Sequence, residues 1–157
     1  MFRDVTRYKQ KLTTEECIDI LIHTKRGVLS VNGDEGYPYC MPINHYYRAE
    51  DGNIYFHGGK HGHKIDALKN DDRVCFCVYS DPIEVEGEWY YDFKSVIVFG
   101  RARPVDDETM IKISRELCYK FTDDEAYIER EIENHAAGTL AFEIIPEHIT
   151  GKIVHER

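Results

Sequence analysis

Residues 54–68, IYFHGGKHGHKIDAL, hold the densest set of groups able to do chemistry in this chain. Gly58, Gly59 and Gly62 fall in a loop between a strand expected over 54–57 and a short helix expected from about Lys64. Glycines let backbone N–H groups approach a ligand closely, and the first turn of a helix leaves donors unpaired. Together they favour an anion at that spot. Lys60, His61, His63 and Lys64 add side-chain donors, so the stretch reads as a phosphate cradle. It is not a P-loop, since Ile65 follows Lys64 where Ser or Thr is required, and it is not G-x-G-x-x-G.

Metal is the competing chemistry. His57, His61 and His63 crowd together, and Cys75 and Cys77 follow in RVCFCVY, where strand alternation puts both sulfurs on one face. No C-x-x-C pair accompanies them. The two cysteines read as small core hydrophobes, and no metal ligand set is assigned. His45 and His57 are the candidates for a proton donor, because imidazole titrates near neutrality, but a core or phosphate-binding role is the one expected for each, and no catalytic residue is assigned.

The chain of 157 residues suits a single domain over 1–157. With 42% apolar and 31% charged residues it has the composition of a globular protein. A net charge of −9 argues against nucleic acid as a partner, so a local knot of Lys and His defines one small anion site without general basicity. MFRDVTRYKQKL lacks the apolar core of a signal peptide, and no apolar run is long enough for a bilayer. Five scattered cysteines, an odd number, favour reduced thiols over a disulfide framework. These features lead us to expect a cytoplasmic protein with no membrane association.

The elements that must position the cradle follow in order. Residues 3–11 are basic and expected to run extended over the surface. Thr13 and Glu16 form a capping box for a helix to about Thr24, whose buried face carries Cys17, Ile18, Leu21 and Ile22. A strand over 26–31 leads through Asn32–Gly36 into GYPYCMPINHYY, one strand over 36–47. Pro38 and Pro42 cannot donate to a ladder, so this strand must be an edge, bulged or interrupted. Its freed backbone near Met41–Asn44 suits a planar heterocycle as well as an empty edge.

Strands are expected over 73–79 and 93–105, with Gly100 as a bend or bulge, and a last one over 139–145 followed by a tail. The stretch 80–92, SDPIEVEGEWYYD, reads as a flap, a ligand lid or a subunit contact. Two late helices are expected. Met110, Ile113, Leu117 and Phe121 form the stripe of the first, and the second, about 124–135, is largely charged. Six or more strands in hairpin order predict a mainly β chain with peripheral helices, its antiparallel sheet closed into a small barrel.

With these pieces in place the sequence resembles the FMN-binding split-barrel proteins related to pyridoxamine 5'-phosphate oxidase, and within them the nitroimidazole-resistance branch. The resemblance runs through the basic start, GYPYCMPINHYY, IYFHGGKHGHKIDAL, VCFCV, FKSVIVFGRARPV and the closing EHITGK. It implies a six-stranded antiparallel split β-barrel that forms a homodimer, with FMN in a groove at the subunit interface. It implies that Met41, Pro42, Ile43 and Asn44 line the flavin ring, that His57, Gly58, Lys60 and Lys64 hold the phosphate, and that Ser95 and Val96 approach the flavin. The chain ends KIVHER, without the Arg-rich C-terminal signature of the oxidases proper, so oxidation of pyridoxamine phosphate is not expected. The activity implied is electron transfer from a reduced nicotinamide-type donor to a small planar acceptor such as a nitroaromatic. The alternative is a flavin- or haem-binding carrier or sensor without turnover.

Overall fold

The computed structural model describes all residues from Met1 to Arg157. Its sheet is entirely antiparallel, with eight strands. In chain order they are β1 (Arg26–Asn32), β2 (Pro38–Asn44), β3 (Tyr46–Arg48), β4 (Asn53–Gly59), β5 (Arg73–Tyr79), β6 (Ile83–Glu84), β7 (Tyr91–Pro104) and β8 (Thr139–His155). Neighbours run β2-β1-β5-β7-β8-β4-β3, with β6 paired to β7. The two ends of that order, β2 and β3, are separated in the chain by His45 alone. A sheet whose opposite edges are joined by one residue has to curl until those edges meet. That is the split barrel.

The expected six strands become eight for two local reasons. The proline-bearing strand over 36–47 divides at His45, its first part pairing with β1 and its second with β4. The acidic, aromatic stretch 80–92 forms a small hairpin, β6 against the start of β7. The last strand is also longer than expected. Pro146 does not end β8 because it stands opposite Gly100, where the register shifts. A side chain at Gly100 would place its Cβ 2.4 Å from the Ile145 carbonyl oxygen, so glycine is needed for the two strands to pass there. The bulge expected at Gly100 is therefore present.

The barrel interior is the core. Leu29, Val31, Ile54, Phe56, Phe76, Val78, Val96, Val98 and Ile144 point inward, alternating with outward neighbours that are mostly open, except on β4, where Tyr55 is buried on the outer side as well. Four helices surround it: α1 (Thr14–His23), α2 (His63–Asn70), α3 (Asp107–Tyr119) and α4 (Glu125–His135). Cys17, Ile20 and Leu21 of α1 and Ile65, Ala67 and Leu68 of α2 join the central core. α3 packs outside it, setting Ile113 and Leu117 against Tyr55 on the outer face of β4. Phe121 lies beyond the end of α3 and stays exposed, with Lys25 and Arg26 over its ring, instead of completing the stripe. No helix is long and apolar enough to cross a membrane.

The basic start is strapped down, not merely extended: Phe2 stacks on Phe99 and His148, and Tyr8–Gln10 make a 3-10 turn. The capping box forms as expected. The Glu16 N–H donates to Thr13 Oγ1 at 3.2 Å and the Thr13 N–H to Glu16 Oε2 at 2.9 Å. Thr13→Ala should cost about 1 kcal/mol in urea-unfolding free energy. A loss no larger than a surface substitution gives would show that α1 is held by packing alone.

Candidate functional site

Two unpaired strand edges face each other at the split. β2 has a partner only on its β1 side. β4 pairs with β3 no further than Tyr55, so Phe56 to Gly59 are bonded only to β8. α2 begins at the mouth of this gap. Its N-cap, Gly62, has φ of +117°, a backbone setting that favours glycine, and offers no side-chain cap to the first-turn N–H groups. Tyr39 of β2 stacks on His63 of α2 with ring centroids 4.1 Å apart, which seats the helix start against the strand edge.

Lys64 is the centre of this gap. Its ammonium lies over the Phe56 ring, 5.4 Å from the centroid. It stands 2.8 Å from where a Cβ on Gly58 would be. Any larger residue at 58 would take the space the ammonium occupies. The side chain is half-buried, burial pushes its pKa down, and no carboxylate lies within ion-pair distance. A partly desolvated cation beside glycine backbone and an uncapped helix start suits an anion such as a phosphate monoester.

The expected site residues divide into two groups. Gly58 and Lys64 come together at the split, with Lys60 exposed at its rim. Met41 and Ile43 on β2 point inward, Met41 half-buried and Ile43 buried, while Pro42 and Asn44 point out and are exposed. On β7, Ser95 is half-buried on the outer face and Val96 is buried in the core, so Val96 offers a ligand only backbone.

His57 faces the other way. Strand alternation sends it to the outer side of β4, where its Nδ1 is 3.2 Å from Ser114 Oγ on α3. Burial, and then the Lys64 charge across the strand, push its pKa down and keep the ring neutral. The other histidines of the cluster also separate: His61 is exposed, and His63 Nε2 is 3.5 Å from Asp34. No three His, Cys, Asp or Glu side chains converge as metal ligands. Cys75 and Cys77 share the outer face of β5, half-buried, their thiols pushed up in pKa by burial.

Three contacts escaped the sequence. The Tyr39–His63 stack and the Lys64–Phe56 contact join residues that only the curled sheet brings together. Lys120, after α3, donates to the carbonyls of Thr24 at 2.7 Å and His45 at 2.6 Å, tying the end of α1 to the β2–β3 bend. One signal was available for His57. Adjacent residues of a strand point to opposite faces, so the His57 side chain has to leave on the face away from Phe56 and the Gly58–Lys64 contact.

Solved structures with this architecture are numerous. A candidate 5-nitroimidazole antibiotic resistance protein from Bacteroides thetaiotaomicron superposes with TM-score 0.77 at 19% identity, covering 92% of this chain and 87% of its own. A flavocytochrome from Azotobacter vinelandii gives 0.75 at 21%, covering 96% and 72%. An FAD-binding protein from Mesorhizobium loti gives 0.67 at 23%, covering 92% and 97%. These likenesses concern the fold. No curated protein matches the chain. The model of the pyridoxamine 5'-phosphate oxidase family matches residues 13–153, nearly the whole length. With that match and the split barrel it predicts, the chain belongs to the pyridoxamine 5'-phosphate oxidase family.

Proposed function

We propose that this protein is an FMN-dependent oxidoreductase that passes electrons from a reduced nicotinamide-type donor to a small planar acceptor such as a nitroaromatic. The observation that carries the proposal is the unpaired, half-buried Lys64 ammonium against Gly58 at the split. In this reading Lys64 Nζ donates to the phosphate, with Lys60 adding charge from the rim. Gly58 and Gly59 let the phosphate lie against backbone, and nothing stands within 4 Å of a Cβ at Gly59. The unpaired edge of β2 over Met41–Asn44 borders the flavin ring, and Pro42 removes one N–H that the edge would otherwise leave unmet. When bound, the flavin supplies the two-electron chemistry and the protein its orientation and electrostatics.

A homodimer completes the proposal. The outer face of β1, β5 and β7 carries Val28, Ile97 and Phe99, each 37% exposed, and Tyr79, and no helix covers it. An apolar sheet face of this kind, covered only where Phe2 lies on Phe99, suits a second copy, with Ser95 and Pro42 at its margin and the flavin between the subunits. Trp89, at the tip of the β6–β7 hairpin and 80% exposed, gains a place to pack in such a dimer. Five free cysteines suit a cytoplasmic setting.

The likeness to a flavocytochrome favours a second reading, a flavin- or haem-binding carrier or sensor without turnover. An absorption spectrum of the concentrated protein, before and after adding FMN, separates the two. Paired bands near ~370 and ~450 nm that bleach with a nicotinamide donor and return with a nitroaromatic support the oxidoreductase. Flavin bands without turnover, or a sharp Soret band, favour the carrier. A colourless protein that leaves added FMN unchanged sinks both.

A further inference from the structure

Behind β4, on the side away from Lys64, lies a second cavity of about 170 Å³. His57 forms its β4 wall, Met110, Ser114 and Cys118 of α3 its floor, and Glu131 and His135 of α4 its mouth. Nothing in the proposed electron transfer uses it. We infer that this cavity is a ligand site for a small, uncharged aromatic heterocycle bearing an N–H or a ring nitrogen.

Size sets the first limit. A cavity of roughly 150 Å³ accepts one benzene ring, so this one takes a single five- or six-membered ring and is far too small for a flavin or a haem. Chemistry sets the second. Met110 and Cys118 present soft sulfur atoms, which pack favourably at aromatic edges. Polar groups are few and fixed. Ser114 Oγ, 8% exposed with its residue, sits 3.2 Å from His57 Nδ1 and 3.7 Å from Met110 Sδ. That bond orients the imidazole and leaves its Nε2 without a protein partner, free to exchange a hydrogen bond with an occupant.

Charge sets the third limit. His57 is held neutral by burial and by Lys64. At the mouth, His135 Nε2 lies 3.7 Å from Glu131 Oε2. An anion would meet Glu131 on entry, and the only carboxylate of the lining stands at the mouth with none deeper in to hold a cation, which leaves a neutral ring as the matching ligand.

The test uses the full chain, isotopically labelled, titrated with pyrazole at about pH 8, with benzoate as the charged control. The expected result is saturable, one-site binding with a Kd on the order of 1 mM, the range open to so few atoms. Nuclear Overhauser contacts from the ring to the Met110 methyl and the His57 ring protons should accompany it. Benzoate should not bind there. Ala136→Phe, which puts a ring into the cavity from its wall, should weaken pyrazole at least tenfold. If that variant fails to fold, the wild-type contacts decide alone. Absence of saturation up to about 10 mM overturns the inference, as do contacts to any other surface.

Discussion

Lowering the pH from about 7 to about 5 should cost this protein about 2 kcal/mol of stability through one side chain, His45, and about 3 kcal/mol by pH 4. His45 is fully buried at the bend between β2 and β3. Its Nε2 lies 2.8 Å from the Leu21 carbonyl, so the neutral ring donates there and keeps a bare Nδ1. That Nδ1 has no hydrogen-bond partner in the core. Protonation would put a second N–H beside the Phe76 ring with no acceptor, and in the same neighbourhood as the Lys120 ammonium. Burial first, then Lys120, push its pKa down to about 4 against an ordinary 6.5.

The sign follows from who binds the proton. Above 6.5 neither the folded nor the unfolded chain carries it, and the contribution is constant. Between 6.5 and 4 only the unfolded chain takes it up, so stability falls steadily as the pH falls. Below about 4 both carry it and the slope from this residue ends. His57, also pushed down, adds in the same direction. Urea unfolding of the wild type and of His45→Gln at about pH 7 and about pH 5 isolates the larger share. The glutamine variant starts less stable, since it leaves a cavity and an altered bond to Leu21, but should lose about 2 kcal/mol less on acidification. Equal losses in the two proteins would place the sensitivity elsewhere.

How far the sequence reached can be judged from His45 and its neighbours. Alternation placed Val96, Val98, Gly100 and Ala102 on one face of β7 correctly, because a strand has one local rule and the core enforces it. The prolines marked GYPYCMPINHYY as an edge, bulged or interrupted strand. They did not place the break at His45, because that bend depends on two different partners, β1 and β4, distant in sequence. The cradle was legible as composition: glycines, lysines and a helix start in one stretch. Its geometry was not, since the Phe56 face under Lys64 and the Tyr39 ring under His63 are products of curling. The histidine cluster was visible only as proximity in the chain, and a strand, a loop and a helix carry its members in three directions. A charged α4 gave no sign of the cavity beneath it, because that space is defined by α3 and β4 as much as by its own residues.

Lys64 carries the largest functional consequence. Removing its ammonium, as in Lys64→Met, should weaken FMN about 100-fold, the upper end of a charge-assisted hydrogen bond worth about 1.5–3 kcal/mol. The upper end applies because the group is half-buried, has no carboxylate to release before it binds phosphate, and lies in a gap shielded by the Phe56 ring. Riboflavin, which lacks the phosphate, should bind wild type and variant alike, and that contrast separates loss of one ion contact from collapse of the groove. Gly58→Ala tests the same point sterically. Its new methyl would stand 2.8 Å from Nζ, and because a lysine tip can swing aside the fold should survive while the ammonium is displaced. Gly59→Ala, with open space at its Cβ, should leave FMN affinity within about twofold, a few tenths of a kcal/mol. Fluorescence quenching of FMN and riboflavin by the four proteins reads all of these values. If Lys64→Met binds FMN as tightly as wild type, the phosphate is held elsewhere, and the split is not the cradle.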